Sequence, residues 1–186
     1  MTRLADTIAA IDTANAADPD RREGAPAALL YGQRMTAELE KLCPEASDEL
    51  RIAARGQHIE RWTSPRHAYP DGKQGYLDWR RDLAGFHARR VGEIMAANGY
   101  DEAAIERVGV MLRKEGIKRN PEVQALEDII CFTFLRWYFE PFAGTRDPDD
   151  LLKIVQKTAR KMSDKGRAKA LAEFDLPEPF ASFFRV

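Results

Sequence analysis

Apolar residues recur at three- and four-residue spacings along almost the whole chain, and nowhere with the two-residue alternation of a half-buried strand. Leu4, Ile8 and Ile11 make one such stripe, ending before Asp18-Pro19. Leu29, Leu30, Met35, Leu39 and Leu42 make a second, which follows Pro26 and stops before Pro44. Ser47 opens a third helix, expected to carry Arg55, His58 and Trp62. Tyr76 to Asn98 reads as a long helix stopped by Gly99, and Asp101 caps the next, with Ile105, Val108, Met111 and Leu112 inward. Asn120-Pro121 starts the most hydrophobic element, expected to run to about Phe142 as the central helix. Asp147-Pro148 opens a further helix, and a short one spans about Arg167–Phe174. The pattern predicts an all-α fold, a single compact domain over 1–186 with about seven or eight helices. Residues 175–186 form a C-terminal strap, because their large apolar side chains need cover.

The chemistry-bearing residues are concentrated. His58, His67 and His87 are the only histidines of the 186-residue chain, and Trp62 and Trp79 lie among them. Residues 51–90 hold nine Arg or Lys against four acids, in a chain whose net charge is −1. Near-neutral charge argues against wholesale binding to DNA or a membrane surface, while a local basic patch leaves RNA open as a partner. Residues 63–75, with two prolines and two glycines, are expected to be a loop that closes as a lid. Trp62, Tyr69, Tyr76 and Trp79 could stack on a ring or fill the gap between helices; packing suits Trp79 better. His67 is expected to be solvated. A second basic run, Lys157 to Lys169, is either a phosphate-binding surface or a solvated helix face.

Acids on apolar helix faces supply a second constellation. Glu115 follows Met111 and Leu112 at inward spacing, and Glu127 and Asp128 sit amid Leu126, Ile129 and Ile130. A buried carboxylate needs a partner. His58, His87, Glu115 and Asp128 converging in a helical core would suit a divalent metal (Mn, Fe, Co, Ni or Zn, given the imidazoles). Alternatively, Glu127 or Asp128 pairs with an arginine such as Arg55 or Arg61 as a structural salt bridge. Cys43 and Cys131 lie in apolar contexts and read as buried thiols of a reducing compartment. The first residues, MTRLADTIAAID, carry neither a long apolar core nor a small-residue cleavage site, so a cytoplasmic location is expected. No apolar run is long enough to span a bilayer, so no membrane association is expected.

The ordered motifs QHIERW (57–62), SPRHAYP (64–70), GYLDWR (75–80), FHARR (86–90), LRKEGIK (112–118), LEDIICFTFL (126–135) and KTARKMS (157–163) resemble domain-of-unknown-function family 4202. The likeness covers essentially the whole chain, with the family-like motifs running from about residue 26 to 174, and implies no activity. The chain is also similar, more weakly, to the HD superfamily of helical metal-dependent phosphohydrolases. In that likeness Lys114-Glu115 replaces the His-Asp pair, and Asp128 follows sooner than the pattern has it.

The resulting expectation is an HD-like, metal-dependent phosphohydrolase acting on a phosphorylated small molecule or nucleotide. His58, His87, Glu115 and Asp128 would hold the metal, and Glu127 would either support those ligands from behind or serve as the catalytic base. Arg55, Arg61, Arg66, Lys73 and Arg80 would hold phosphate oxygens, with Trp62 or Tyr69 stacked on a ring. The alternative is a non-catalytic module for RNA or a nucleotide-bearing partner, built on buried Arg–carboxylate pairs.

Overall fold

The computed structural model describes residues 2–185, which fold into ten α-helices and one two-residue β-pair, Arg21–Arg22 against Ala25–Pro26. The all-α expectation therefore holds. The fold divides into two compact units, one ending at Glu115 and the other starting at Gly116. Among the described residues no helix is long and apolar enough to cross a membrane.

The first unit contains α1 (Arg3–Asn15), α2 (Ala27–Leu42), α3 (Asp48–Gly56), α4 (Gly72–Ala97) and α5 (Glu102–Leu112). Three of the starts are capped as their residue types dictate: Thr2, Ser47 and Asp101 each accept a hydrogen bond from a backbone N–H three residues on. The inward stripes meet in a core of Ile11, Met35, Leu39, Ile52, Ile59, Val91, Met95 and Val108, all without solvent exposure. Two glycines let the helices approach. A Cβ on Gly32 would lie 2.9 Å from the Arg55 carbonyl oxygen, and one on Gly56 would lie 2.5 Å from Val91 Cγ2. The second contact presses the end of α3 onto α4 at Val91, one helical turn beyond His87.

The third helix is shorter than its periodicity suggests. It stops at Gly56, so His58 lies in the following turn and Trp62 in a 3-10 turn, Arg61–Thr63. The expected irregular loop is also partly structured. A second 3-10 turn covers Arg66–Ala68, and α4 begins at Gly72 rather than at Tyr76. Trp79 Nε1 donates to the Ser64 carbonyl, and Arg66 donates to the carbonyls of Tyr69 and Gly72. The segment is tied down along its length.

The second unit contains α6 (Pro121–Thr133), α7 (Phe139–Ala143), α8 (Pro148–Lys161), α9 (Asp164–Glu173) and α10 (Phe180–Phe184). The central hydrophobic helix is broken in phase rather than continuous. Residues Phe134–Tyr138 form a π-helical turn, in which the Phe139 N–H donates to the Phe134 carbonyl five residues back. Within the C-terminal strap, α10 covers Phe180–Phe184, and Phe184 is fully buried. Cys131 is buried and Cys43 half-buried; both are free thiols.

Candidate anion-binding site

The turn after α3 sets the site. Glu60 takes a left-handed backbone conformation, φ 47°, that a residue with a Cβ adopts only under compulsion. Two remote groups compel it. The buried side chain of Asn15 accepts the Glu60 N–H at 3.0 Å, and Arg90 on α4 donates to the Glu60 carboxylate at 2.9 Å. The reversal places His58 on one side of Glu60 and Arg61 on the other, both against α4.

On α4, Tyr76, Arg80, Leu83 and His87 fall at spacings of four, three and four, and so share one face. His58 meets His87 with ring centroids 6.1 Å apart, and Tyr31 of α2 stacks on His58 at 3.8 Å. The Arg61 guanidinium lies over the Trp79 ring at 5.0 Å. His87 is 4% exposed, and its Nε2 is sealed from solvent without a hydrogen-bond partner. An orphaned buried polar atom costs about 1–3 kcal/mol and calls for an explanation.

The electrostatics run one way. Burial pushes the His87 pKa down to about 3, and the neighbouring charges of Arg61 and Arg80 add to the shift. Burial likewise holds His58 well below its ordinary value, reinforced by Arg61, His87, Arg80 and Lys114. Both imidazoles are neutral at pH 7. Arg61 itself is pushed down by burial and by Arg80. No carboxylate acts on His87, and neither the Arg61 nor the Arg80 side chain makes a hydrogen bond or ion pair with another described residue. Arg34, Arg55, Arg90 and Arg113, by contrast, each hold an acid. The site is a pair of cations without an acid partner beside two neutral imidazoles, His87 buried and His58 half-buried.

Comparison with known proteins places the chain. The family described as Domain of unknown function (DUF4202) matches residues 5–183. The chain belongs to that family. No curated protein and no solved structure matches it.

For this DUF4202 chain, the residues expected to bind metal have different local partners. His58 and His87 come together, whereas Glu115 does not project inward. Helix α5 ends at Leu112, Lys114 turns left-handed at φ 61°, and Glu115 pairs on the surface with Arg113 at 2.7 Å. That ion pair also holds the Glu115 carboxyl below its usual range. Asp128 belongs to the second unit, where it accepts the backbone N–H of Ser163 at 2.8 Å and its hydroxyl at 2.5 Å. A Cβ on Gly166 would lie 2.9 Å from that carboxylate, so Asp128 is wedged against the first turn of α9. Glu127, expected as a base, is buried beside Lys161 at 3.5 Å. Among the described residues no group of three or more His, Cys, Asp or Glu is placed to hold a metal ion.

The expected phosphate contacts divide similarly. Arg61 and Arg80 are near enough to act on both histidines through their charge. Arg55 is engaged elsewhere, donating to both Asp12 carboxylate oxygens at 2.6 Å and to Thr36 at 3.0 Å. Arg66 braces its own loop, Lys73 and His67 are exposed, and Trp62 is half-buried in its 3-10 turn. Tyr69 donates to Asp82 and lines a separate cleft of about 720 Å³ with Phe86, Arg89, Arg113 and Glu115. Neither His58 nor His87 lines that cleft, and two of its arginines, Arg81 and Arg113, are already matched by acids. Sequence reasoning did not find Tyr31, Asn15 or Glu60. Tyr31 carried no signal beyond its helical spacing, and the other two act only through the reversal they stabilise.

Proposed function

We propose that this chain binds a phosphorylated small molecule, with the phosphate held by Arg61 and Arg80 beside His58 and His87. The observation that carries the reading is the charge imbalance. Two guanidiniums with no carboxylate partner act on two imidazoles, half-buried His58 and buried His87, the latter with an orphaned Nε2. A phosphate dianion supplies two negative charges against two positive ones, along with acceptor oxygens for the guanidinium forks. A carboxylate would leave one cation unmatched.

The same donors suit a divalent metal poorly. The histidine pair offers two nitrogens where catalytic sites use about three protein ligands, and the adjacent arginines repel a further cation. The reading is therefore one of recognition through anion contacts, without a metal-bound water. The bidentate Arg55–Asp12 pair fits a helical binding module braced by Arg–carboxylate contacts.

Titration calorimetry with inorganic phosphate at pH about 7 and low salt tests it. Saturable binding is expected, weakened at least about tenfold by Arg80→Gln and by Arg61→Gln. Circular dichroism would verify that the variants are folded. No saturable binding to the wild-type protein at millimolar phosphate would refute the reading.

A further inference from the structure

Tyr76 and Leu77, at the start of α4, are 47% and 48% exposed, unusual for side chains of their size in this chain. Tyr76 lies one helical turn, about 6 Å of rise, before Arg80 on the same face. Its ring sits 5.9 Å from that of Trp79, the ring over which Arg61 lies. The Tyr76 hydroxyl is near enough to Arg61 to act on its charge. An open aromatic face thus stands beside the unpartnered arginines, one turn along the same helix face.

We infer that the phosphorylated ligand is a nucleotide whose base stacks on Tyr76, with the phosphate one turn away at Arg80 and Arg61. The inference rests on the anion-binding reading and narrows it. One turn of helix matches the reach from phosphate to base across a single ribose. An aromatic face also accepts any base, because every base presents a π-face. Leu77 extends the apolar ledge. The expected ring partners Trp62 and Tyr69 are less suited: Trp62 is half-buried, and the Tyr69 hydroxyl is tied to Asp82 at the other cleft.

Three ligands separate the parts: inorganic phosphate, ribose 5-phosphate and a nucleoside 5′-monophosphate, each titrated into the full chain. The nucleoside monophosphate should bind roughly tenfold more tightly than ribose 5-phosphate, the gain expected of one stacked base. Tyr76→Ala should erase that gain while leaving the affinity for inorganic phosphate within about twofold of wild type, and Tyr76→Phe should retain it. Because Tyr76 is exposed, neither change threatens the core.

Equal affinities for ribose 5-phosphate and the nucleotide would overturn the inference while the phosphate site stands. A Tyr76→Ala variant that weakens all three ligands alike would also overturn it. A short single-stranded RNA that binds where the mononucleotide does not would show a polymer partner and reject the small nucleotide. If inorganic phosphate itself fails to bind, both readings fall together.

Discussion

Acid should destabilise the first unit through His87, and the size of the effect follows from its surroundings. Its pKa in the fold is about 3, against an ordinary value of 6.5, so protonation favours the unfolded chain. The stabilisation is complete above pH 6.5, declines as pH falls through the window, and levels off only below about 3. Each pH unit inside that window is worth about 1.4 kcal/mol, so acidifying to pH about 4.5 should remove roughly 3 kcal/mol through this residue alone. Urea unfolding of the wild type and of His87→Gln, each at pH about 7 and about 4.5, measures it. Carboxylates that lose partners on acidification do so in both proteins, and His58 is present in both, so the difference in slope isolates His87. The variant should lose roughly 3 kcal/mol less than the wild type over this interval. Equal losses would show that His87 is not held neutral by burial and the two arginines. Saturating phosphate should also flatten the wild-type slope, since a bound phosphate anion favours the imidazolium.

Asn15→Ala removes the acceptor for the Glu60 N–H and should cost about 1–2 kcal/mol of stability, read by urea midpoint, while weakening phosphate binding several-fold. Arg55→Ala leaves Asp12 without its bidentate partner and should lower stability by about 1–3 kcal/mol. Its affinity for phosphate should stay within about twofold of wild type, because this arginine does not face the histidines. Asp128→Ala frees the Ser163 N–H and hydroxyl and should destabilise the second unit by about 1–3 kcal/mol, measured by thermal unfolding. If it instead abolished phosphate binding in a protein of unchanged stability, the assignment of Asp128 to a structural cap would be wrong.

The helical architecture was legible because it rests on local signals. Ser47, Asp101, Asn120-Pro121 and Asp147-Pro148 start helices where their side chains cap the first turn. His87 is buried on the apolar face its spacing assigned. The site was only half legible, because its geometry depends on where helices end. Periodicity carried α3 through His58 and Trp62, whereas the chain reverses at Glu60 under the hold of Asn15 and Arg90, which lie 45 and 30 residues away. No window of neighbouring residues contains that information. Glu115 illustrates the same gap: its spacing from Met111 implied an inward carboxylate only if α5 continued, and the left-handed Lys114 ends that regularity. The absence of acid partners for Arg61 and Arg80 is a property of tertiary placement. Composition showed a basic surplus in residues 51–90 without showing which arginines were already matched.

The π-helical turn at Phe134–Tyr138 bears on how this chain tolerates changes in length. A π-turn holds one residue more than the α-helical turn it replaces, so it behaves as a single-residue insertion absorbed within a helix. Deleting one residue from α6 would rotate everything after it by about 100° and drive Leu126, Ile129 or Phe132 out of the core. Deleting exposed Trp137 would let the five-residue turn relax to ordinary α-helix, with Phe139 and Phe142 keeping their angular phase. Single-residue length variation in this helical stretch should therefore be concentrated between Phe134 and Tyr138.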